Sequence, residues 1–197
     1  MAKANKANGT RGFPKEIKLP NGAAITLRLM EHDDKDKILA FARSLPQDDL
    51  LFLRTDITEA SSVDEWVRNV DSGDTATVIA EADGHLVGYA SVHSDQARWT
   101  RRVGEIRVNG SPRFRGRGLG KRLTAEIFEL AKSLGLKKLS AMMTPDQTAA
   151  RAAFERLGFR VEAILADWVE DRTGRARDML IMTYDLDGFT DQVVAHS

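Results

Sequence analysis

Several short segments of the chain alternate apolar and polar residues, which is the two-residue period of a β-strand with one buried face. The clearest pair, 75–82 and 85–93, is joined by Asp83-Gly84, a dipeptide typical of tight hairpin turns. The pattern therefore predicts a hairpin in the middle of the chain. The remaining predicted strands are 15–19, 23–30, 103–110, 137–143, 161–170 and 177–185.

Other segments repeat apolar residues every three or four positions, as on the buried face of an amphipathic helix. A helix is expected from Asp34 to about Leu45, because Pro46 then ends it. Ser62 and Glu65 have the spacing of a capping box and predict a second helix start. The four predicted helices begin near residues 34, 62, 119 and 145.

In chain order the elements are two strands, two helices, a hairpin, a strand, a helix, a strand, a helix and two strands. The helix that connects strands 103–110 and 137–143 forms a crossover, so these two strands should run parallel. We therefore predict a mixed α/β fold, in which helices flank a largely antiparallel sheet with one parallel pair. Residues 14–187 are expected to form a single domain, between a disordered tail at 1–13 and a second tail at 188–197.

The segment between strand 103–110 and the next helix is rich in glycine and arginine. The first amides of a helix lack partners within the helix, and the aligned peptide dipoles make that end partly positive. Gly116, Gly118 and Gly120 have no side chains, so an anion can approach these amides closely. Arginine and lysine side chains add positive charge, and the expected ligand is therefore a phosphate group.

The spacing of these residues excludes two common phosphate-binding loops. A P-loop needs Ser or Thr after its lysine, where this chain has Arg122, and the dinucleotide fingerprint ends on glycine, where it has Lys121. The remaining pattern, Arg115-x-x-Gly118-x-Gly120 between a strand and a long helix, resembles the acetyl-CoA pyrophosphate loop of the GNAT superfamily of N-acetyltransferases. Taken alone, this loop could also be a basic turn that only caps the helix and binds no ligand.

A second motif further along the chain is similar to one of the same family. The family pattern Asn-x-x-Ala-x-x-x-Tyr-x-x-x-Gly-Phe falls on Gln147, Ala150, Phe154, Gly158 and Phe159. Thr144 is expected to cap this helix. Phe154 replaces a tyrosine that often protonates the leaving thiolate in the family, and core packing is its expected role. Water or another group must then protonate the thiolate, or it leaves unassisted.

Together with the order of the elements, the two motifs make residues 23–186 similar to the GNAT fold, and in particular to phosphinothricin-type and ribosomal-protein-type acetyltransferases. The resemblance implies that strands 103–110 and 137–143 splay apart. It also implies that a primary amine attacks acetyl-CoA directly in a ternary complex; the amine could belong to a small molecule, an amino-acid analogue or a protein N-terminus. The residues implied in cofactor binding are Val108, Asn109, Gly110, Arg115, Gly116, Arg117, Gly118, Leu119, Gly120, Lys121, Gln147 and Phe154.

The resemblance places two catalytic groups on strand 103–110. Glu105 corresponds to a carboxylate proposed as the base that deprotonates the amine, and a solvated or salt-bridged glutamate is the alternative. Gly110 lies near the point where the family strand bulges and frees an N–H that polarises the thioester carbonyl. That N–H could instead hold the pantetheine arm of the cofactor by strand-like pairing.

The acceptor is expected between the first two helices, the loop after the central hairpin and the final strand pair. Asp48, Asp49, Asp167 and Asp178 lie in or near these segments. They could attract a cationic amine or be simple surface acids. His93 could face the same cleft, but an ordinary solvent-facing position is the expectation.

Composition narrows the classes of partner. Lys plus Arg and Asp plus Glu both number 29, for a formal net charge of +0, whereas nucleic-acid-binding proteins usually carry a basic surplus. The count of Cys is 0, which excludes thiolate nucleophiles and thiolate metal sites and suits a reducing cytoplasm. No signal peptide or membrane span is predicted, no metal is expected, and a homodimer is compatible with the sequence.

Two other functions stay open at this stage. A non-catalytic acyl-CoA-binding or regulatory module of the same fold would account for the missing hydroxyl at Phe154. A nucleic-acid-binding protein could use the arginines of 113–122. The charge balance and the lack of interleaved aromatic residues beyond Phe114 disfavour that alternative.

If Glu105 is the base, Glu105→Gln should lower kcat by ~10² to 10⁴, the usual contribution of a positioned general base. Steady-state acetyl transfer measured over a range of pH checks this. A variant that keeps nearly full kcat at every pH would contradict the assignment.

Overall fold

The computed structural model describes residues 12–50, 53, 55–95, 99–171 and 173–186. The strands are β1 Lys15–Lys18, β2 Ala24–Leu29, β3 Thr75–Ala82, β4 His85–Ser94, β5 Val103–Gly110, β6 Lys138–Met143, β7 Arg160–Glu170 and β8 Ala176–Asp185. The helices are α1 Lys35–Ser44, α2 Gln47–Leu50, α3 Ala60–Ser72, α4 Leu119–Ser133 and α5 Thr148–Arg156, with 3₁₀ turns at His32–Asp34 and Pro112–Phe114. All eight strands join one sheet in the order β1-β2-β3-β4-β5-β6-β8-β7.

One pair of neighbouring strands is parallel. β5 and β6 run in the same direction, as the crossover through α4 predicts, and every other neighbouring pair is antiparallel. The parallel pairing covers only residues 103–105 against 138–140, and the two strands separate beyond it. The predicted mixed sheet with one splayed parallel pair is therefore confirmed.

A glycine lies in the middle of the short stretch in which β5 and β6 are paired. Gly104 lies opposite Leu139 of β6. A Cβ atom at Gly104 would lie 2.6 Å from Val92 Cγ2 and 2.7 Å from Leu136 Cδ1. Since real Cβ atoms do not approach other atoms so closely, only glycine lets these segments meet here without a shift.

Apolar side chains on the two faces of the sheet form two clusters. α4 packs on one face, where Leu123 and Ile127 are fully buried. α1 and α3 cover the other face at β3 and β4, where the rings of Trp66 and Tyr89 meet edge-to-face with centroids 4.8 Å apart. The indole N–H of Trp66 donates to Thr77 Oγ1 at 3.0 Å. The ring of Trp66 is thus fixed by both packing and a hydrogen bond.

The predicted N-cap of α3, Ser62, is wrong by three residues. The helix begins at Ala60 with Glu59 as its N-cap, so Ser62 lies inside the first turn rather than at a capping box. Asp56 Oδ1 accepts the Thr58 N–H at 2.9 Å and closes a turn just before the helix. This local turn directs the chain into helical geometry earlier than the Ser-x-x-Glu pattern indicates.

The bulge expected near Asn109 and Gly110 is also wrong. The β4–β5 register runs without a shift from Ser94 opposite Gly104 to Gly88 opposite Gly110. Because β5 stays paired with β4 along this whole length, its separation from β6 needs no extra residue.

The two predicted tails fall almost entirely outside the described residues. Phe13, the last residue of the tail predicted at 1–13, packs against the larger apolar cluster. The segment 188–197 lies outside the described residues. The domain bounds of 14–187 stay a prediction.

An ion cluster ties β2 and β3 to the start of α1. Arg28 donates to both carboxylate oxygens of Asp34, at 2.6 and 2.7 Å, and to both of Glu81, at 2.9 and 3.1 Å. Asp34 also accepts the Glu31 N–H at 2.8 Å, and Lys37 donates to Glu81 at 2.7 Å. The hydrogen bonds from Arg28 lower the pKa of Glu81 below its usual value. Within this cluster Arg28 is the cation that both carboxylates share.

Arg28→Met should lower the free energy of unfolding at neutral pH by about 3 kcal/mol, because it leaves two largely buried carboxylates without this cation. A carboxyl whose folded pKa is lowered stabilises the fold above its usual pKa and loses that contribution as the pH falls through the folded value. The difference in the free energy of unfolding between wild type and variant should therefore become smaller as the pH is lowered towards about 3. Urea unfolding at several pH values measures it.

Lys37→Met is the matched control, since Lys37 is half-exposed and should contribute under about 1 kcal/mol. Equal losses in the two variants would contradict the argument from burial.

Candidate active site

The loop between β5 and α4 has the backbone shape of an anion site. Gly116 and Gly118 have φ angles of +70° and +89°, in the left-handed region that favours glycine. Gly118 is the N-cap of α4, and Arg122 N–H donates to its carbonyl at 3.1 Å as the first regular bond of the helix. The amides of residues 119–121 precede that bond and point out of the helix end, where the helix dipole favours an anion.

Basic side chains surround this helix end. The exposed ones are Arg113, Arg115, Arg117, Lys121 and Arg122. Arg115 forms an ion pair with Asp49 of α2. A diphosphate at the loop would therefore compete with the Asp49 carboxylate for this guanidinium. Leu119 is buried in the core, so only its backbone amide can face a ligand, whereas Gly120 is exposed and a Cβ there would meet nothing within 4 Å.

Next to this loop, backbone amides of β5 point into the gap between β5 and β6. Ser111 N–H donates to Val87 C=O at 2.8 Å, so in the uninterrupted ladder with β4 every second residue points its amide towards β4. The amides of Val108 and Gly110 therefore point the other way, into the gap beyond the β5–β6 pairing. The side chain of Val108 packs on the cluster beneath α4. An extended chain lying in the gap could accept hydrogen bonds from both amides.

The opposite face of β5 carries an ion pair. Glu105 Oε1 accepts hydrogen bonds from Arg107, from Nε at 3.1 Å and from an Nη at 2.7 Å. The side chains of Arg107 and Glu105 are only 17% and 16% exposed, so the pair is held inside the fold rather than on its surface. In the sheet register Glu105 lies opposite His93, and Arg107 lies opposite Ser91. The predicted base is thus a salt-bridged glutamate directly across from a histidine.

A cavity of about 380 Å³ opens on this face, between α3 and the sheet. Ser62, Glu65, Trp66 and Asn69 form its helix wall, Tyr89, Ser91, His93 and Arg107 form its sheet wall, and Thr55 and Ile57 complete the lining. Its volume is in the range of sites for small molecules. Hydroxyl, amide, imidazole and charged groups make up most of the lining, so the expected occupant is polar.

His93 lies in the wall of this cavity, so the expectation of an ordinary solvent-facing histidine is wrong. Its Nδ1 is 2.9 Å from Thr75 Oγ1, and its Nε2 is 2.8 Å from Ser91 Oγ. A hydroxyl can donate or accept, so both contacts suit either neutral tautomer and the protonated ring. The strand period could have indicated this position, because residues 89, 91 and 93 share one face of β4.

Tyr89 is a second residue that the sequence analysis did not single out. Its ring is buried between Phe41 and Trp66, and its hydroxyl bonds the side chain of Asn109. Burial raises the pKa of Tyr89, so its phenol stays protonated at neutral pH. The side chain of Asn109, which was predicted to bind the cofactor, is therefore held on the cavity face of the sheet.

The second motif forms α5, which begins at Thr148, so Thr144 is not its cap. Residues 144–147 close a turn of their own, in which Gln147 Oε1 accepts the Thr144 N–H at 3.0 Å. Phe154 packs edge-on against Phe159, with ring centroids 5.0 Å apart, beside the larger apolar cluster. Phe154 thus has the expected packing contacts, and contacts of Gln147 and Phe154 with a cofactor stay predictions.

The acids predicted near the acceptor have other surroundings. Asp49 is paired at the anion loop, and Asp178 accepts the Asp167 N–H at 3.0 Å. The side chain of Asp48 is outside the described part of the chain. The carboxylate found in the cavity lining is instead that of Glu65.

Within the described residues, no three His, Asp or Glu side chains lie close enough together to hold a metal ion. Nor does any helix in that part of the chain combine the length and the apolar character needed to cross a membrane.

Similarity to known proteins supports the resemblance read from the two motifs. The profile of the acetyltransferase (GNAT) family matches residues 43–159, more than half of the chain. YwnH of Bacillus subtilis (strain 168), named as a phosphinothricin acetyltransferase, is 23% identical over 163 residues, which cover 82% of this chain and 99% of that protein.

Two solved structures have the same fold. Ribosomal-protein-alanine N-acetyltransferase from Brucella melitensis aligns with a TM-score of 0.70 at 24% identity, covering 81% of this chain and 98% of that chain. The acetyltransferase yncA from Salmonella typhimurium was solved with its cofactor acetyl-CoA. It aligns with a TM-score of 0.72 at 22% identity, and the alignment covers 83% of this chain and 94% of that chain. With its fold, its anion loop and its family match in agreement, the chain belongs to the acetyltransferase (GNAT) family and is an acetyl-CoA-dependent N-acetyltransferase.

Proposed function

We propose that the chain acetylates a primary amine of a small molecule held in the cavity between α3 and the sheet. The observation that carries this proposal is the meeting of three features along β5: the anion loop, the amides in the gap and the polar cavity. The name of YwnH supports an amino-acid analogue as acceptor, and that of the Brucella enzyme supports a protein N-terminus. The two walls of the cavity favour a small amine or an amino-acid analogue.

The predicted cofactor residues of the loop and the backbone amides of β5 support this proposal. The amides of 119–121 would bind the diphosphate of acetyl-CoA, with Arg115, Arg117 and Lys121 around it. The amides of Val108 and Gly110 would pair with the pantetheine arm in the gap, or Gly110 N–H would bind the thioester oxygen. A positioned N–H of that kind stabilises the negative charge that develops there.

Acetyl-CoA supplies an activated acetyl group, and the residues of the chain handle the acceptor and its protons. Glu105 would remove a proton from the amine, so that the nitrogen lone pair can attack the thioester carbonyl carbon. The new C–N bond would form, the nitrogen would give its second proton to water, the C–S bond would break, and the electron pair of that bond would leave on sulfur. Arg107 would hold the carboxylate of Glu105 in place throughout. Phe154 has no hydroxyl, so the thiolate would take its proton from water.

A homodimer and a cytoplasmic location remain parts of the proposal. The homodimer is supported by edge strand β7, whose Ile164 and Trp168 are 60% and 63% exposed.

Gly118→Ala should raise the Kd for CoA about tenfold or more, because a Cβ at φ +89° strains the N-cap and moves the amides that follow it. Gly73→Ala, at the C-cap of α3 and outside the loop, is the matched control, since it places a Cβ at a similar φ of +86° with nothing within 4 Å. Calorimetric titration of both variants with CoA measures the contrast. Equal losses, or no loss at Gly118, would contradict the role assigned to the loop amides.

The reaction itself is tested by thiol release from acetyl-CoA across a panel of small primary amines, amino acids and N-terminal peptides. We expect release of free CoA with at least one small amine, and acetylation of its nitrogen by mass spectrometry. Tight CoA binding with no release for any member of the panel would favour the non-catalytic acyl-CoA-binding module. Release with peptides alone would overturn the small-molecule acceptor.

A further inference from the structure

The cavity proposed to hold the acceptor presents a negative charge that no described residue neutralises. Glu65 lies in its helix wall, and the Glu65 carboxylate forms no ion pair within the described part of the chain. The cation in the lining is Arg107, and two of its nitrogens already donate to Glu105. His93 is bonded to two hydroxyls. The lining therefore favours a cationic ligand over an anionic one.

Trp66, the next residue of α3, lines the same wall as Glu65. Its indole N–H donates to Thr77 Oγ1 at 3.0 Å, and its ring meets that of Tyr89 at a centroid distance of 4.8 Å. The face of a fixed indole attracts cations, most strongly where water is partly excluded. A carboxylate and an indole in the lining of one cavity suit an ammonium group. A ligand carboxylate would instead have to compete with Glu105 for Arg107.

The cavity also separates the charge of Glu65 from the reacting strand. Glu65 and Trp66 belong to α3, whereas Glu105 and the gap amides belong to β5, and α3 and β5 contribute to different walls. The nitrogen that attacks must be neutral and must lie at β5. An ammonium held by Glu65 is therefore a different nitrogen of the same acceptor.

We infer that the acceptor carries a second cationic group, as a short diamine does, and that Glu65 and Trp66 bind this group while the other nitrogen is acetylated. The inference rests on the proposed function of this cavity and names its substrate class. Glu65 is then a specificity-determining residue, and it takes no part in proton transfer.

Three probes with four carbon atoms each test the inference: 1,4-diaminobutane, n-butylamine and 4-aminobutanoate. Each has a primary amine on a chain of three methylene groups, and the fourth carbon belongs to an aminomethyl group with its ammonium, a methyl group or a carboxylate. Calorimetry with the CoA-saturated protein gives the Kd of each. We expect the diamine to bind at least about fivefold more tightly than the other two, the upper range for a partly exposed ion pair beside an aromatic ring.

Glu65→Gln keeps the shape of the side chain and removes its charge, so it should abolish most of that preference. Glu129→Gln, on the exposed surface of α4, is the control and should bind all three probes as the wild type does. An unchanged Kd for CoA shows that each variant is folded. Equal or tighter binding of 4-aminobutanoate, or a preference that survives Glu65→Gln, would overturn the inference.

Thiol release from acetyl-CoA with the same probes separates this inference from the proposed function. Tight, Glu65-dependent binding of the diamine without release would uphold the cation site and reject the proposed reaction. Release with 4-aminobutanoate or n-butylamine but not with the diamine would uphold the reaction and reject the second cation.

Discussion

The separation of β5 from β6 is the constraint on which the site depends. Pairing stops after residue 105 of β5, while the opposite edge of β5 stays bonded to β4 as far as Gly110. The amides of Val108 and Gly110 are thereby held in fixed directions without being used by the sheet. Backbone donors withdrawn from a ladder are costly unless a ligand or water pairs with them. A protein that keeps such donors in place next to a helix N-terminus is prepared for an extended ligand with an anionic head.

β5 also divides the molecule into two functional faces. Its even-numbered residues Ile106 and Val108 lie on the side packed under α4. Its odd-numbered residues Glu105, Arg107 and Asn109 belong to the side covered by α1 and α3. In the proposed function, strand alternation would let one short segment bind the cofactor along its edge and the acceptor on its face. The ion pair of Glu105 with Arg107 would lie between these two proposed sites.

Features that depend on residues close together in the sequence could be predicted. Asp83 and Gly84 form the predicted tight turn with φ angles of 51° and 76°, because only a few residue types tolerate that conformation. The parallel pair followed from the length and handedness of the crossover. The caps at Ser62 and Thr144 were wrong, because adjacent turns compete with them and their local pattern does not reveal this. The sequence could not show that Glu65 and His93 line the same cavity, because this cavity forms only when α3 packs across the sheet.

The packing around the paired part of β5 and β6 depends on Gly104. The residue has no methyl group at the very point where Val92 and Leu136 close in on β5. Alanine there would push one of these neighbours aside, and the strand would have to leave β6 earlier or tilt away from it. The close approach of Val92 and Leu136 to the paired part of β5 therefore depends on one absent carbon atom. A related chain with a larger residue at this position should carry a smaller partner at the position of Val92 or of Leu136.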